Sequence, residues 1–288
     1  MDGILLVNKP KGITSRDVVN EISKFLKTKK VGHTGTLDPI ATGVLALCIG
    51  KYTKLSDELT STKKEYIATA IVGQDSDTLD NTGIITKDET QIIEKEKIEQ
   101  TIKSFEKIYD QEVPSYSAVK INGKKLYEYA RNNEKVDLPT RKVEIYEIEL
   151  LDVKYEENHT IIKFRCLVSK GTYIRSLIRD IGKSLNTCAI MSDLIRTKQG
   201  NFNIEESYTI EQIKNNDYKF IDIYNYLEEY EKIIMDDELK NKIDNGAILP
   251  NIYKNETMAF FNKNHELCAL YKIYEKDSQK IKPIKVFK

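Results

Sequence analysis

Val31-Gly32-His33-Thr34-Gly35-Thr36-Leu37-Asp38-Pro39-Ile40-Ala41-Thr42-Gly43 is a polar, glycine-rich loop that runs directly into the apolar stretch Val44–Ile49. Asp38 admits two readings. It can bond backbone N–H groups of its own turn or cap a short helix opened by Pro39, as aspartate before proline often does. Or the loop is a rigid mount that holds a carboxylate at the floor of a cleft, with His33 beside it as a base-stacking side chain. Spacing alone leaves both open.

On the N-terminal side, Ile4–Val7 has the pattern of a buried strand closed by the turn Asn8-Lys9-Pro10-Lys11-Gly12. Thr14 and Asp17 have capping-box spacing, and Val18, Val19, Ile22, Phe25 and Leu26 recur at helical period. Beyond the loop, Tyr66–Val72 is β-branched and aromatic, so it is expected to be a strand. Ile98, Ile102, Phe105 and Ile108 suggest a short amphipathic helix. Val143–Val153 and Thr160–Val168 are expected to pair as long strands. A further helix should begin near Tyr173, with Ile174, Leu177, Ile178, Ile181 and Leu185 on one face. Strands and helices mix without βαβ alternation, which predicts an α+β fold on a largely antiparallel sheet. Residues 205–244 are acidic and helix-like, and short strand runs from Asn245-Gly246 onward indicate a small β-rich C-terminal module. The expected division falls near residue 230, giving a catalytic unit over 1–230 and the module over 231–288.

The chain has 288 residues, of which 40% are hydrophobic and 31% charged, as in ordinary globular proteins. No apolar run approaches the roughly 20 residues of a membrane span, and the N-terminus lacks the basic region of a secretory signal. Cys48, Cys166, Cys188 and Cys268 are scattered without zinc-like spacing, which fits reduced thiols in a cytoplasm. With His33, His159 and His265 as the only histidines, no metal site is expected. Net charge is zero but unevenly spread: residues 1–54 hold nine Lys/Arg against four Asp/Glu, and residues 205–244 hold five against twelve. Residues 251–288 hold eight against four. Local potential governs polyanion binding, so two basic ends permit RNA as a partner, although solvated lysine faces would look the same. Residues 113–142 interleave Lys120, Lys124, Lys125, Arg131, Arg141 and Lys142 with Tyr116, Tyr127 and Tyr129. That composition suits phosphates and unstacked bases.

The loop's string from Gly32 to Leu45 closely resembles the catalytic motif of the TruB family, the bacterial tRNA pseudouridine-55 synthases. Further stretches resemble the family's motifs in order: Lys9-Pro10-Lys11-Gly12-Ile13-Thr14-Ser15, then Thr53-Lys54 with Lys64-Glu65-Tyr66. Tyr116-Ser117-Ala118-Val119-Lys120 with Tyr127–Arg131 follows, then Ser169-Lys170-Gly171-Thr172-Tyr173-Ile174-Arg175 and Leu194-Ile195-Arg196-Thr197. Together they span about residues 3–200. The departures are small: Val113-Pro114 where the family commonly has two prolines, and Ile195 between Leu194 and Arg196. Residues 245–288 weakly resemble a PUA domain.

The resemblance implies a pseudouridine synthase fold and isomerisation of uridine 55 in the T-arm of tRNA, without cofactor or metal. It gives Asp38 the chemistry, as nucleophile or as the base that starts glycal formation, and Arg175 as its partner through a two-bond guanidinium fork. Tyr66 would stack on the flipped uracil. His33 would fill the space the base vacates, and Tyr173 and Leu194 would be pocket walls. Lys9 and Lys54 would support the loop or contact phosphate. Tyr127, Arg131 and Arg141 would belong to a mobile loop, 113–142, that clamps the T-arm. No obligatory protein partner is expected, and the chain is expected to act as a cytoplasmic monomer. Two other readings stay open: the catalytic subunit of a guide-RNA-dependent complex, and a non-catalytic tRNA-binding chaperone.

Overall fold

A computed structural model describes residues 2–156 and 158–287. Nine strands form the main sheet: β1 (Gly3–Lys9), β2 (Val31–His33), β3 (Thr42–Ile49), β4 (Lys64–Val72), β5 (Ile108–Glu112), β6 (Thr140–Glu156), β7 (His159–Val168), β8 (Ala189–Gln199) and β9 (Phe202–Asn203). Their order is β1-β3-β8-β4-β7-β6-β5, with β2 on β3 and β9 on β8. Every pairing is antiparallel except β3 with β8, where Thr42 faces Ile195 and Gly43 faces Arg196. This is the mixed, largely antiparallel α+β architecture expected from the sequence. Gly43 has φ +106°, and a Cβ there would stand 2.2 Å from the Arg196 carbonyl oxygen, so only glycine lets the two strands meet.

Four helices matter for the site: α1 (Ser15–Phe25), α2 (Lys95–Lys103), α3 (Leu126–Arg131) and α4 (Ile174–Ser184). Thr14 and Asp17 form the capping box of α1, which buries Val18, Val19 and Ile22. Helix α4 buries Ile174, Leu177, Ile178 and Ile181 against the alternate residues Tyr66, Ala68 and Ala70 of β4 and against Leu194. The period-2 pattern of β4 therefore puts Lys64 and Tyr66 on the face that meets α4.

Two readings of the sequence need correction. The pattern through Ile108 is not one helix: α2 ends at Lys103, Phe105 packs into the core from the following turn, and Ile108 opens β5, exposed. Pairing of β5 with β6 overrides the helical period there. The acidic stretch 205–244 is only partly helical. It holds Ile210–Lys214, Ile223–Tyr226 and Asp237–Asp244, but also the strand Glu231–Ile234, which joins a second, five-stranded sheet. That sheet is not self-contained. Ala259, Phe261, Leu267, Leu270 and Phe287 share one apolar cluster with Ile4, Leu6, Val44 and Tyr52 of the first.

Candidate active site

The loop between β2 and β3 is pinned on both sides of Asp38. Ser15 Oγ accepts from the Leu37 N–H at 2.9 Å and donates to the Leu37 carbonyl at 3.1 Å. The Pro39 carbonyl accepts from the Gly12 N–H at 2.8 Å and from Lys9 Nζ at 3.4 Å. The Ala41 N–H donates to the Asp38 carbonyl at 3.0 Å, closing a turn with Pro39 at its second position. The turn is thus closed by backbone, and the Asp38 carboxylate points elsewhere: its Oδ2 lies 3.0 Å from Arg175 Nε. Its side chain keeps 38% of its surface, against 7% for Arg175. The Asp38 carboxylate thus faces Arg175 at the lining of a cleft instead of the N–H groups of its own turn.

Arg175 stands in the first turn of α4, where a cation opposes the helix dipole unless an anion answers it. The expected two-bond fork to Asp38 is absent; the contact runs through Nε alone. The other two nitrogens are taken by the fold. Nη1 donates to the Thr78 carbonyl at 2.8 Å and sits 3.8 Å from Asp80 Oδ2, and Nη2 donates to the Tyr116 carbonyl at 3.1 Å. Asp80, its side chain 6% exposed, is held in turn by Thr78 Oγ1, the Thr82 N–H and Thr82 Oγ1 at 2.5–3.0 Å. The segment docks on β8 through paired backbone bonds, Asn81 N–H to the Met191 carbonyl and Met191 N–H to the Leu79 carbonyl, each 3.0 Å. Asp80 was not singled out from the sequence; Asp80-Asn81-Thr82-Gly83 reads only as a turn.

A cleft of about 500 Å³ opens over this pair. Asp38, Tyr66, Tyr173, Arg175 and Leu194 line it, together with Tyr127 and Arg141. Burial pushes the Tyr66 phenol up from its ordinary value, with Arg196 opposing the shift, so the ring enters the cleft as a neutral phenol. Arg141 packs its guanidinium on the backbone of Gly171 and lies 6.0 Å over the Tyr173 ring. Tyr127 lies in the first turn of α3, whose first N–H groups bond the carbonyls of Val119 and Ser117, so this helix is tied to the stretch whose Tyr116 carbonyl holds Arg175.

Four other residues picked from the sequence lie outside the cleft lining. His33 sits in β2 and accepts from the Gly35 N–H through Nδ1 at 3.4 Å. Burial, with Arg16 and Arg196 nearby, pulls its pKa down, which suits an unprotonated acceptor nitrogen. Lys9 is fully buried beneath the loop and bonds the Pro10 carbonyl at 2.8 Å and the Pro39 carbonyl at 3.4 Å. Lys54 donates to the Val286 carbonyl at 2.7 Å, which ties it to the C-terminal sheet instead of the loop. Arg131 is exposed, 5.3 Å over the Tyr127 ring.

Lys64 and Arg196 also line the cleft. Lys64 donates to the Thr60 and Thr62 carbonyls, both at 2.6 Å. Loss of hydration pulls Lys64 and Lys9 each down to about 8, with Asp38 partly opposing the shift at Lys9. An unfolded lysine keeps its proton to about 10.4. Between those values the unfolded chain binds more protons, so each lysine's burial costs stability below pH 8 and stops doing so as pH rises. Buried Cys48 and Cys166, pushed up to about 12, act in the opposite sense. The difference between wild type and Lys64→Met cancels them. From about pH 7 to about pH 10, urea unfolding is expected to shift that difference toward wild type by on the order of 1–2 kcal/mol. A constant difference would contradict the assignment.

Known proteins resemble this chain over most of its length. Residues 23–174, more than half of the chain, match the family model described as TruB family pseudouridylate synthase (N terminal domain). Residues 175–235 match the tRNA pseudouridylate synthase B C-terminal domain. The chain is 39% identical to tRNA pseudouridine synthase B of Bacillus cytotoxicus over 298 aligned positions, covering 99% of this chain and 97% of the relative. It is 42% identical to the Oceanobacillus iheyensis protein of the same name, covering 100% and 98%. Among solved structures it resembles a chain of a Cbf5-Nop10-Gar1 complex, with TM-score 0.73 and 28% identity over 99% of this chain and 85% of that one. A chain of an H/ACA RNP bound to a substrate RNA containing 2'-deoxyuridine gives TM-score 0.71 at 26% identity, over 99% and 85%. The family model and the full-length similarity agree: the chain belongs to the TruB family of pseudouridine synthases.

Proposed function

We propose that this chain isomerises uridine 55 in the T-loop of tRNA to pseudouridine. The observation that carries this reading is the Asp38 carboxylate, mounted on a pinned loop at the edge of the cleft and ion-paired with Arg175 at 3.0 Å. The reaction breaks the bond between uracil N1 and ribose C1′, turns the base, joins C5 to C1′ and moves the C5 proton to N1. Reactants and products are isomers. The target base must leave its stack to be reached. Asp38 then attacks C1′ or removes the C2′ proton to give a glycal, with the Arg175 guanidinium 3.0 Å away as its fixed partner. Tyr66 stacks on the extruded uracil, an interaction worth about 1–3 kcal/mol and tolerant of base identity. Tyr173 and Leu194 wall the pocket, and Tyr127, Arg131 and Arg141 grip the T-arm backbone. Lys9 works from beneath as a support of the loop. We read residues 231–288 as a PUA-like RNA-binding module and the protein as a cytoplasmic monomer.

The test is purified protein alone with transcribed tRNA, followed by chemical mapping of pseudouridine. Modification at position 55 is the expected result. A subunit that depends on guide RNA and partner proteins, as the likeness to the Cbf5 complexes would suggest, leaves that tRNA unmodified. A pure chaperone binds it and does the same.

A further inference from the structure

Strand β8 carries two fully buried polar side chains that reach back to the loop bearing Asp38: Arg196 and Gln199, each 1% exposed. Arg196 donates through Nε to the Val44 carbonyl at 2.8 Å and through Nη2 to the Gly35 carbonyl at 3.2 Å, and it faces the Tyr66 hydroxyl. Gln199 Nε2 lies 2.7 Å from the Thr34 carbonyl, 2.6 Å from Thr34 Oγ1 and 3.2 Å from the Leu59 carbonyl. Leu59 precedes the turn whose Thr60 and Thr62 carbonyls hold Lys64. Gln199 therefore joins the root of the Asp38 loop to the segment that brings Thr60 and Lys64 to the cleft lining. Its Oε1 is buried with no partner among the described residues. A buried acceptor left without a donor is costly, so apolar packing would be cheaper if filling space were the only task.

We propose that Gln199 is a positioning residue for the reaction: its amide fixes the Thr34 peptide, which sets the Gly35 carbonyl on Arg196 and so the place of Asp38 in the cleft. The amide is the right group because two of its acceptors are backbone carbonyls on different segments, and one NH₂ carries two protons at the angle needed to serve both. Gly35, at φ +145°, lies where both β8 side chains converge. A Cβ on it would sit 3.5 Å from Arg196 Nη1 and 3.8 Å from Gln199 Oε1. A glutamate in place of Gln199 would turn two donors into acceptors facing carbonyl oxygens; a methionine would keep the volume and lose the bonds.

The inference rests on the activity proposed above, and wild-type protein on transcribed tRNA is the control that separates the two. If wild type forms no pseudouridine, that activity fails; if wild type works, the variants test Gln199. In single-turnover assays Gln199→Met is expected to lower the rate by about tenfold to hundredfold, with the tRNA Kd within about twofold, because loop misplacement acts on the chemical step. Thr34→Val is expected to give a smaller loss, and the double variant little more than Gln199→Met alone. A Gln199→Met rate equal to wild type overturns the proposal. So does a loss that disappears at low temperature where the variant is fully folded, since that marks a role in stability only.

Discussion

Asp38→Asn is expected to lower the single-turnover rate of pseudouridine formation by at least about 10⁴-fold while tRNA binds with a Kd within about threefold of wild type. The substitution is close to isosteric, and the asparagine carbonyl oxygen can occupy the place of the carboxylate oxygen that stands 3.0 Å from Arg175 Nε. The pinned peptides on either side use backbone atoms and Ser15, Gly12 and Lys9, not the Asp38 side chain, so the loop keeps its shape. What disappears is the negative charge that attacks C1′ or takes the C2′ proton. Binding should not suffer, because removing an anion beside a polyanion relieves repulsion. A variant that both binds and turns over normally would remove Asp38 from the chemistry. A variant that fails to bind would instead make the carboxylate a recognition group.

Much of this site was legible in the sequence because its parts are local. The Asp38 loop is built from turn chemistry, glycines and a proline that act within a few residues, and the capping box of α1 is likewise short-range. Tyr66 follows from the period of β4, since the alternation that buries Ala68 and Ala70 also carries the ring to the cleft side. Resemblance to a family then decided between two readings of Asp38 that spacing left open. What stayed hidden depends on chain segments far apart. Asp80 meets Arg175 only because a hairpin tip docks on β8, and Gln199 meets Thr34 across 165 positions. The Lys54 contact stayed hidden for the same reason: its partner is a carbonyl 232 residues away in the second sheet. Ile108 kept a helical spacing while its backbone took a strand, because β6 offered it hydrogen bonds.

Arg175→Lys is expected to lose about 10²–10³-fold in single-turnover rate, and Arg175→Ala more, since both leave the developing charges without a fixed partner. The reason lies in how the guanidinium is spent. Its three nitrogens serve the Asp38 carboxylate, the Thr78 carbonyl and the Tyr116 carbonyl, which come from three separate segments, with Asp80 3.8 Å behind. A lysine offers one nitrogen on a flexible stem and cannot reach all three points at once. If its ammonium settles between Asp80 and Thr78, Asp38 is left to swing; if it follows Asp38, the Thr78 and Tyr116 carbonyls lose their donor and buried Asp80 its nearby cation. Removal of the cation altogether should cost about 3–5 kcal/mol of folding stability, because Asp80, though still bonded to Thr78 and Thr82, then stays buried without a countercharge and the Thr78 and Tyr116 carbonyls lose their donor. Thermal melts beside the kinetics separate the two effects: the lysine variant is expected to retain more stability than the alanine variant and yet fall far short of wild-type rate. Full activity in Arg175→Lys would mean that any nearby cation suffices, and that the planar three-way anchorage belongs to folding alone.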